Sequence, residues 1–160
     1  MVRHISRHAR KGRIAALTGP ELNVADMELA SRVLADHGFR LALVAQDRGI
    51  LRTHTGSGEI NFVVSDLVEE VDLTQYEGLV LLESAAQVAK SARELAEKFL
   101  AADKAVMALA QSVEVLADLT KVEVKDHPDV AMAIHGTLYA ASPKEGRAHA
   151  VEVFAEQVAA

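Results

Sequence analysis

The feature that most constrains this chain is a pair of short apolar runs separated by one helical pattern. Ile14-Ala15-Ala16-Leu17 closes at Thr18-Gly19-Pro20. A brief, continuous apolar run bounded by turn formers suits a strand buried on both faces. Met27, Ala30, Val33 and Leu34 then recur at helical spacing, and His37-Gly38 supplies the stop. Leu41-Ala42-Leu43-Val44-Ala45 follows at once. Such a β-α-β unit implies parallel strands joined by a right-handed crossover. The alternation resumes with a strand at Leu79-Val80-Leu81-Leu82. A helix from Ala85 then carries Val88, Ala92, Leu95, Ala96 and Phe99 on one face. Val106-Met107-Ala108-Leu109 reads as a fourth core strand, and residues 112–119 as a short helix.

Two segments break the rhythm. Residues 47–64 hold Gly49, Gly56 and Gly58 around two strand-like pieces, Gly49-Ile50-Leu51 and Ile60-Asn61-Phe62-Val63-Val64. They read as a small hairpin arm leaving the sheet. Further on, residues 131–134 and 137–141 flank His135-Gly136, a two-residue turn with glycine second, which suits antiparallel strands. Ser142-Pro143-Lys144-Glu145 has the form of a capping box opening the last helix, with Val151, Phe154 and Val158 turned to the core. The expectation is an α/β fold: a doubly wound, mostly parallel sheet with a hairpin arm and C-terminal antiparallel strands.

At 160 residues, 50% hydrophobic and 25% charged, the chain suits one globular domain. Residues 13–160 are expected to form it, behind a basic mobile arm at residues 1–12. No apolar run reaches the roughly 18 residues of a membrane helix, and no secretory-type stretch follows the basic start, so a cytoplasmic location is expected.

Composition removes several chemistries. There is no cysteine, which excludes thiolate nucleophiles and disulfides. Aromatic residues are 4% and Trp is absent, so base-stacking platforms are not expected. Arg3, Arg7, Arg10, Lys11 and Arg13 precede any acidic residue, yet the net charge is −6. An acidic body repels DNA, and nucleic acid is not an expected partner. His4 and His8 have metal-ligand spacing but no third ligand beside them, so no metal or cofactor is expected. Thr18-Gly19-Pro20-Glu21 holds one glycine, no lysine and an acid, and is not a phosphate loop. A receiver domain needs an acidic cluster after the first strand, where this chain has Thr18-Gly19.

In doubly wound sheets ligands bind beyond the carboxyl ends of the strands. The informative end is Leu109, where a strand of small and apolar residues turns sharply into a helix through Ala110-Gln111-Ser112. Such an elbow carries the nucleophile in many α/β enzymes. Residues 104–117, Lys-Ala-Val-Met-Ala-Leu-Ala-Gln-Ser-Val-Glu-Val-Leu-Ala, resemble the elbow of the ThiJ/PfpI superfamily. That group includes intracellular protease I and the parkinsonism-associated deglycase, within the class I glutamine amidotransferase-like, flavodoxin-like fold. The resemblance runs from Arg13 through the strand at Gln75-Tyr76-Glu77-Gly78-Leu79-Val80-Leu81 to the hairpin and final-helix start at residues 134–143.

The departures fall at the chemistry. The family's nucleophilic cysteine is matched by Ala110, its neighbouring histidine by Gln111 and the following glycine by Ser112. Leu82-Glu83-Ser84 stands at the family's Pro-Gly-Gly, and Asp26 at the glutamate that touches the thiol. Without a thiolate the family's covalent intermediate cannot form, and an amide at Gln111 does not shuttle protons near neutral pH.

The resemblance therefore implies a degenerate elbow with no catalytic residues of the family's type. The candidate pocket is Asp26, Glu83, Ser84, Ala110, Gln111 and Ser112. The expected function is non-catalytic: binding of a small polar ligand or a regulatory, stress-related role, in a homodimer by family resemblance. The alternative is a hydrolase or a glyoxalase/deglycase-like enzyme using a non-cysteine nucleophile, with Ser84 or Ser112 first in line. Blander readings stand beside these. Asp26 suits a first-turn helix carboxylate behind an Asn23 cap, and the two serines suit caps.

Overall fold

Alternate residues of the central strands face two separate cores, which is why those strands read as unbroken apolar runs. The computed structural model describes residues 12–47, 52–53, 64–121, 129–141 and 147–159. The basic arm up to residue 11, most of the expected hairpin arm and the capping box at residues 142–145 lie outside these. In chain order the strands are β1 (Gly12–Leu17), β2 (Glu21–Leu22), β3 (Phe39–Ala45), β4 (Arg52–Thr53), β5 (Asp66–Leu67), β6 (Gly78–Leu81), β7 (Ala105–Leu109), β8 (Val130–Ile134) and β9 (Thr137–Ala141). The helices are α1 (Val24–Asp36), α2 (Ala89–Ala101), α3 (Val113–Thr120) and α4 (Arg147–Ala159).

Seven strands form one sheet in the order β5-β3-β1-β6-β7-β8-β9. Pairing is parallel from β5 to β7 and antiparallel for β8 and β9. On β1, Ile14 and Ala16 join one core while Ala15 and Leu17 join the other. On β7, Met107 and Leu109 face the first core and Val106 and Ala108 the second. Helices α1 and α4 cover the first through Met27, Val33, Leu34, Val151 and Phe154. Helices α2 and α3 cover the second through Ala92, Leu95, Phe99, Val113 and Leu116. This is the expected doubly wound α/β architecture with its antiparallel addition.

The caps follow the local chemistry. Asn23 caps α1, its side-chain oxygen accepting the Asp26 N–H at 3.3 Å. Gly38 leaves α1 at φ 88°, a region open to glycine at little cost. The β8–β9 turn has φ 49° at His135 and 80° at Gly136, the two positive angles of the tight hairpin turn.

Three details depart from expectation. The helix read from Ala85 begins as a 3-10 turn at Glu83–Val88 and becomes α-helical only at Ala89. Arg52 and Thr53 pair in parallel with Glu21 and Leu22 as a separate two-stranded sheet. The edge strand β5 was not expected, because two residues carry no readable period.

Candidate functional site

The parallel strands carry their carboxyl ends, and α1, α3 and α4 their amino ends, to one rim of the sheet. Five of the six expected pocket residues lie in turns at that rim. The sixth, Asp26, lies in the first turn of α1.

Ala110 follows Leu109 directly and has φ 51°, the left-handed region that costs a side-chain-bearing residue of order 1 kcal/mol. The angle makes the strand turn at once into the 3-10 turn Ala110–Ser112. The Ala110 N–H donates to the Asp129 carbonyl at 2.7 Å, tying the elbow to the segment entering β8. Ala110 is partly exposed and Gln111 is exposed.

Both serines are committed to the scaffold. Ser112 is fully buried, and its hydroxyl donates to the Leu82 carbonyl at 2.7 Å, pinning the elbow to the end of β6. Ser84 is buried and accepts the Gly19 N–H at 3.1 Å. Its Oγ lies 2.8 Å from Thr18 Oγ1, which in turn donates to the Gly19 carbonyl at 2.9 Å. With the Thr18 proton on that carbonyl, the proton between the two hydroxyls belongs to Ser84. Among the described residues no histidine bonds either serine. His135 is exposed beside Asp103 at the opposite rim of the sheet, and His149 is exposed on α4.

Asp26 is where the sequence was least informative. Its N–H takes the expected cap, but its carboxylate reaches across to the other helix of its layer. Oδ1 forms an ion pair with Arg147 Nη1 at the start of α4. Arg147 grips Asp129 with both ends of its fork, Nε to Oδ2 at 2.8 Å and Nη2 to Oδ1 at 2.6 Å. The Asp26 side chain is 8% exposed, and its Oδ2 is buried with no hydrogen-bond partner among the described residues.

The electrostatics follow from this crowding. Burial pushes the Asp26 carboxyl above its ordinary value. Arg147 opposes that, and the negative charge of Glu83 adds to it. The Arg147 bond holds Asp129 below its ordinary value, and the Asp129 bond raises Arg147 further. Arg147 thus links Asp26 to Asp129, with the Glu83 carboxylate within electrostatic reach of Asp26.

Arg147 and Asp129 were missed in the sequence. The signal for Arg147 was faint but physical. A cation in the first turn of a helix opposes the helix dipole, so its presence there calls for a carboxylate partner. Asp129 offered no such signal.

No family model matches the chain, and no curated protein does. Solved structures do. A ThiJ/PfpI domain protein from Brachyspira murdochii aligns with TM-score 0.67 at 13% identity, over 92% of this chain and 94% of that one. A DJ-1 superfamily protein from Salmonella typhimurium, solved as a cysteine-to-alanine mutant, aligns with TM-score 0.63 at 14% identity, over 92% and 88%. Drosophila melanogaster DJ-1beta aligns with TM-score 0.63 at 12% identity, over 92% and 88%. The chain has the flavodoxin-like fold of these ThiJ/PfpI and DJ-1 superfamily structures.

Proposed function

We propose that this chain is a ThiJ/PfpI-superfamily protein whose elbow has lost its nucleophile and whose strand-end pocket binds a small polar ligand in a regulatory, stress-related role. The observation that carries this reading is Ala110. It has the left-handed backbone of a nucleophile elbow, at φ 51° directly after β7, and only a methyl group to present. The costly conformation persists without the atom it would serve. The neighbouring chemistry agrees, since an exposed amide at Gln111 offers no base. A partly exposed carboxylate at Glu83 would oppose a developing oxyanion if it faced one.

Residues 13–160 then act as one domain in a cytoplasmic homodimer, with the first 12 residues as a basic arm. The bonds of Ser84 and Ser112 weigh against a substitute serine nucleophile, since both oxygens are engaged in holding the rim together.

The test is turnover of methylglyoxal and of a fluorogenic peptide by purified, chelator-treated protein, beside an Ala110→Arg variant that fills the elbow. The expected result is no turnover above the variant. Turnover that the variant abolishes would overturn the reading. Fluorophosphonate labelling of Ser84 or Ser112 would then identify the attacking group.

A further inference from the structure

Helices α2 and α3 follow the parallel strands β6 and β7 and lie side by side over the second core. An open groove of about 600 Å³ lies between them, lined by Ala89, Lys90 and Arg93 of α2 and by Glu114, Val115 and Asp118 of α3. That volume is of the size that holds small molecules. Access is open as well, since Lys90, Arg93, Glu114 and Asp118 are all exposed. None of the six lining residues belongs to the rim pocket.

The charges stand in two rungs. Arg93 and Asp118 form an ion pair between the helices. Lys90 lies three residues before Arg93, and Glu114 four before Asp118, so each stands one turn nearer the helix start on the same face. They make a second rung of opposite charges, yet among the described residues neither side chain has an ion pair or a hydrogen bond. Lys90 also occupies the first turn of α2, where the helix dipole disfavours a cation that lacks a counter-anion.

We propose that this groove binds a small aliphatic α-amino acid as its zwitterion, with the carboxylate on Lys90, the ammonium on Glu114 and the alkyl chain along Ala89 and Val115. The site is separate from the rim pocket and independent of the elbow. Charge selects the class. A lone anion drawn to Lys90 also meets Glu114, and a lone cation drawn to Glu114 also meets Lys90, so each gains one attraction and incurs one repulsion. A zwitterion gains two attractions. The Arg93–Asp118 rung is neutral as a whole and leaves that balance unchanged. Direct pairing of Lys90 with Glu114 is a weak competitor, because an exposed ion pair between long side chains gains little over solvation. Val115 is half-buried against the second core and Ala89 presents a methyl, which gives the alkyl chain an apolar surface to cover.

The experiment is an amide-resolved NMR titration of the full chain with L-norvaline, beside N-acetyl-norvaline, norvaline amide and glycine. Norvaline should give saturable shifts at the Lys90, Arg93 and Val115 amides, and its affinity should fall as salt is added, because both pairs are exposed. The acetylated and amidated forms, each with one charge, should bind about tenfold more weakly. Glycine, which lacks the alkyl chain, should also bind more weakly. Lys90→Gln and Glu114→Gln change exposed side chains and should each weaken norvaline binding about fivefold, the loss of one exposed ion pair. The double exchange Lys90→Glu with Glu114→Lys keeps one charge of each sign and should bind norvaline within about twofold of wild type. No saturable shift with norvaline, equal binding by a singly charged form or by glycine, or wild-type affinity in either single variant would each overturn the proposal. So would a double exchange that bound no better than the single variants.

Discussion

Asp26 is the residue on which the site's pH behaviour turns. Burial and Glu83 raise its folded-state value above the ordinary 3.8. A raised group binds its proton more tightly in the folded state. Its contribution is therefore present in full below 3.8 and is lost as pH rises through the folded value. Asp129 has the opposite sign. Its lowered value favours the fold above 3.8, and that contribution is lost as pH falls through the folded value. Asp26→Asn isolates the first effect. Wild type should lose stability relative to this variant as the pH rises from 4 towards 7, read by urea unfolding at each pH. A difference that stayed flat or grew with pH would show that the surroundings of Asp26 do not raise its carboxyl. The cap role of Asn23 was legible at this scale, because a cap is local. The partner of the Asp26 carboxylate was not, because Arg147 lies 121 residues away.

At the scale of elements, the rim depends on how closely the end of β1 approaches the turn Glu83–Val88. A Cβ on Gly19 would lie 2.1 Å from the Ser84 carbonyl oxygen and 2.7 Å from Gln87 Oε1. The side chain of Gln87 could move, but the backbone carbonyl could move only by shifting the turn that carries Glu83. Gly19→Ala should therefore cost about 1–3 kcal/mol, as overpacking does. It should also weaken the Gly19 N–H bond to Ser84. Chemical denaturation would measure the first, and faster hydrogen exchange at the Gly19 amide the second. A variant as stable as wild type would mean the turn is loose. The β-α-β rhythm and the His135-Gly136 turn were readable here, because period and turn chemistry are local. The onset of α2 was read too early, because an apolar face does not distinguish a 3-10 turn from the α-helix it leads into.

At the scale of the whole molecule, the sheet ends at β9, which among the described residues pairs only with β8. Tyr139 on that strand is an exposed large hydrophobic, at 53%. The proposed homodimer predicts twice the monomer mass by sedimentation of the full chain at micromolar concentration; a monomer throughout would remove it. Among the described residues no helix is long and apolar enough to cross a membrane. By itself the sequence determined the kind and order of the main elements, the two-sided burial of the central strands and the absence of any thiol. Periodicity, turn residues and composition are properties of neighbouring positions, and the chain carries them wherever it goes. Only the tertiary structure decided that Arg147 joins Asp26 to Asp129, that Ala110 takes a left-handed turn and that both rim serines are bound. Those depend on which strand ends and helix starts packing brings to one rim, and no local pattern records the distance between residues that far apart in the chain.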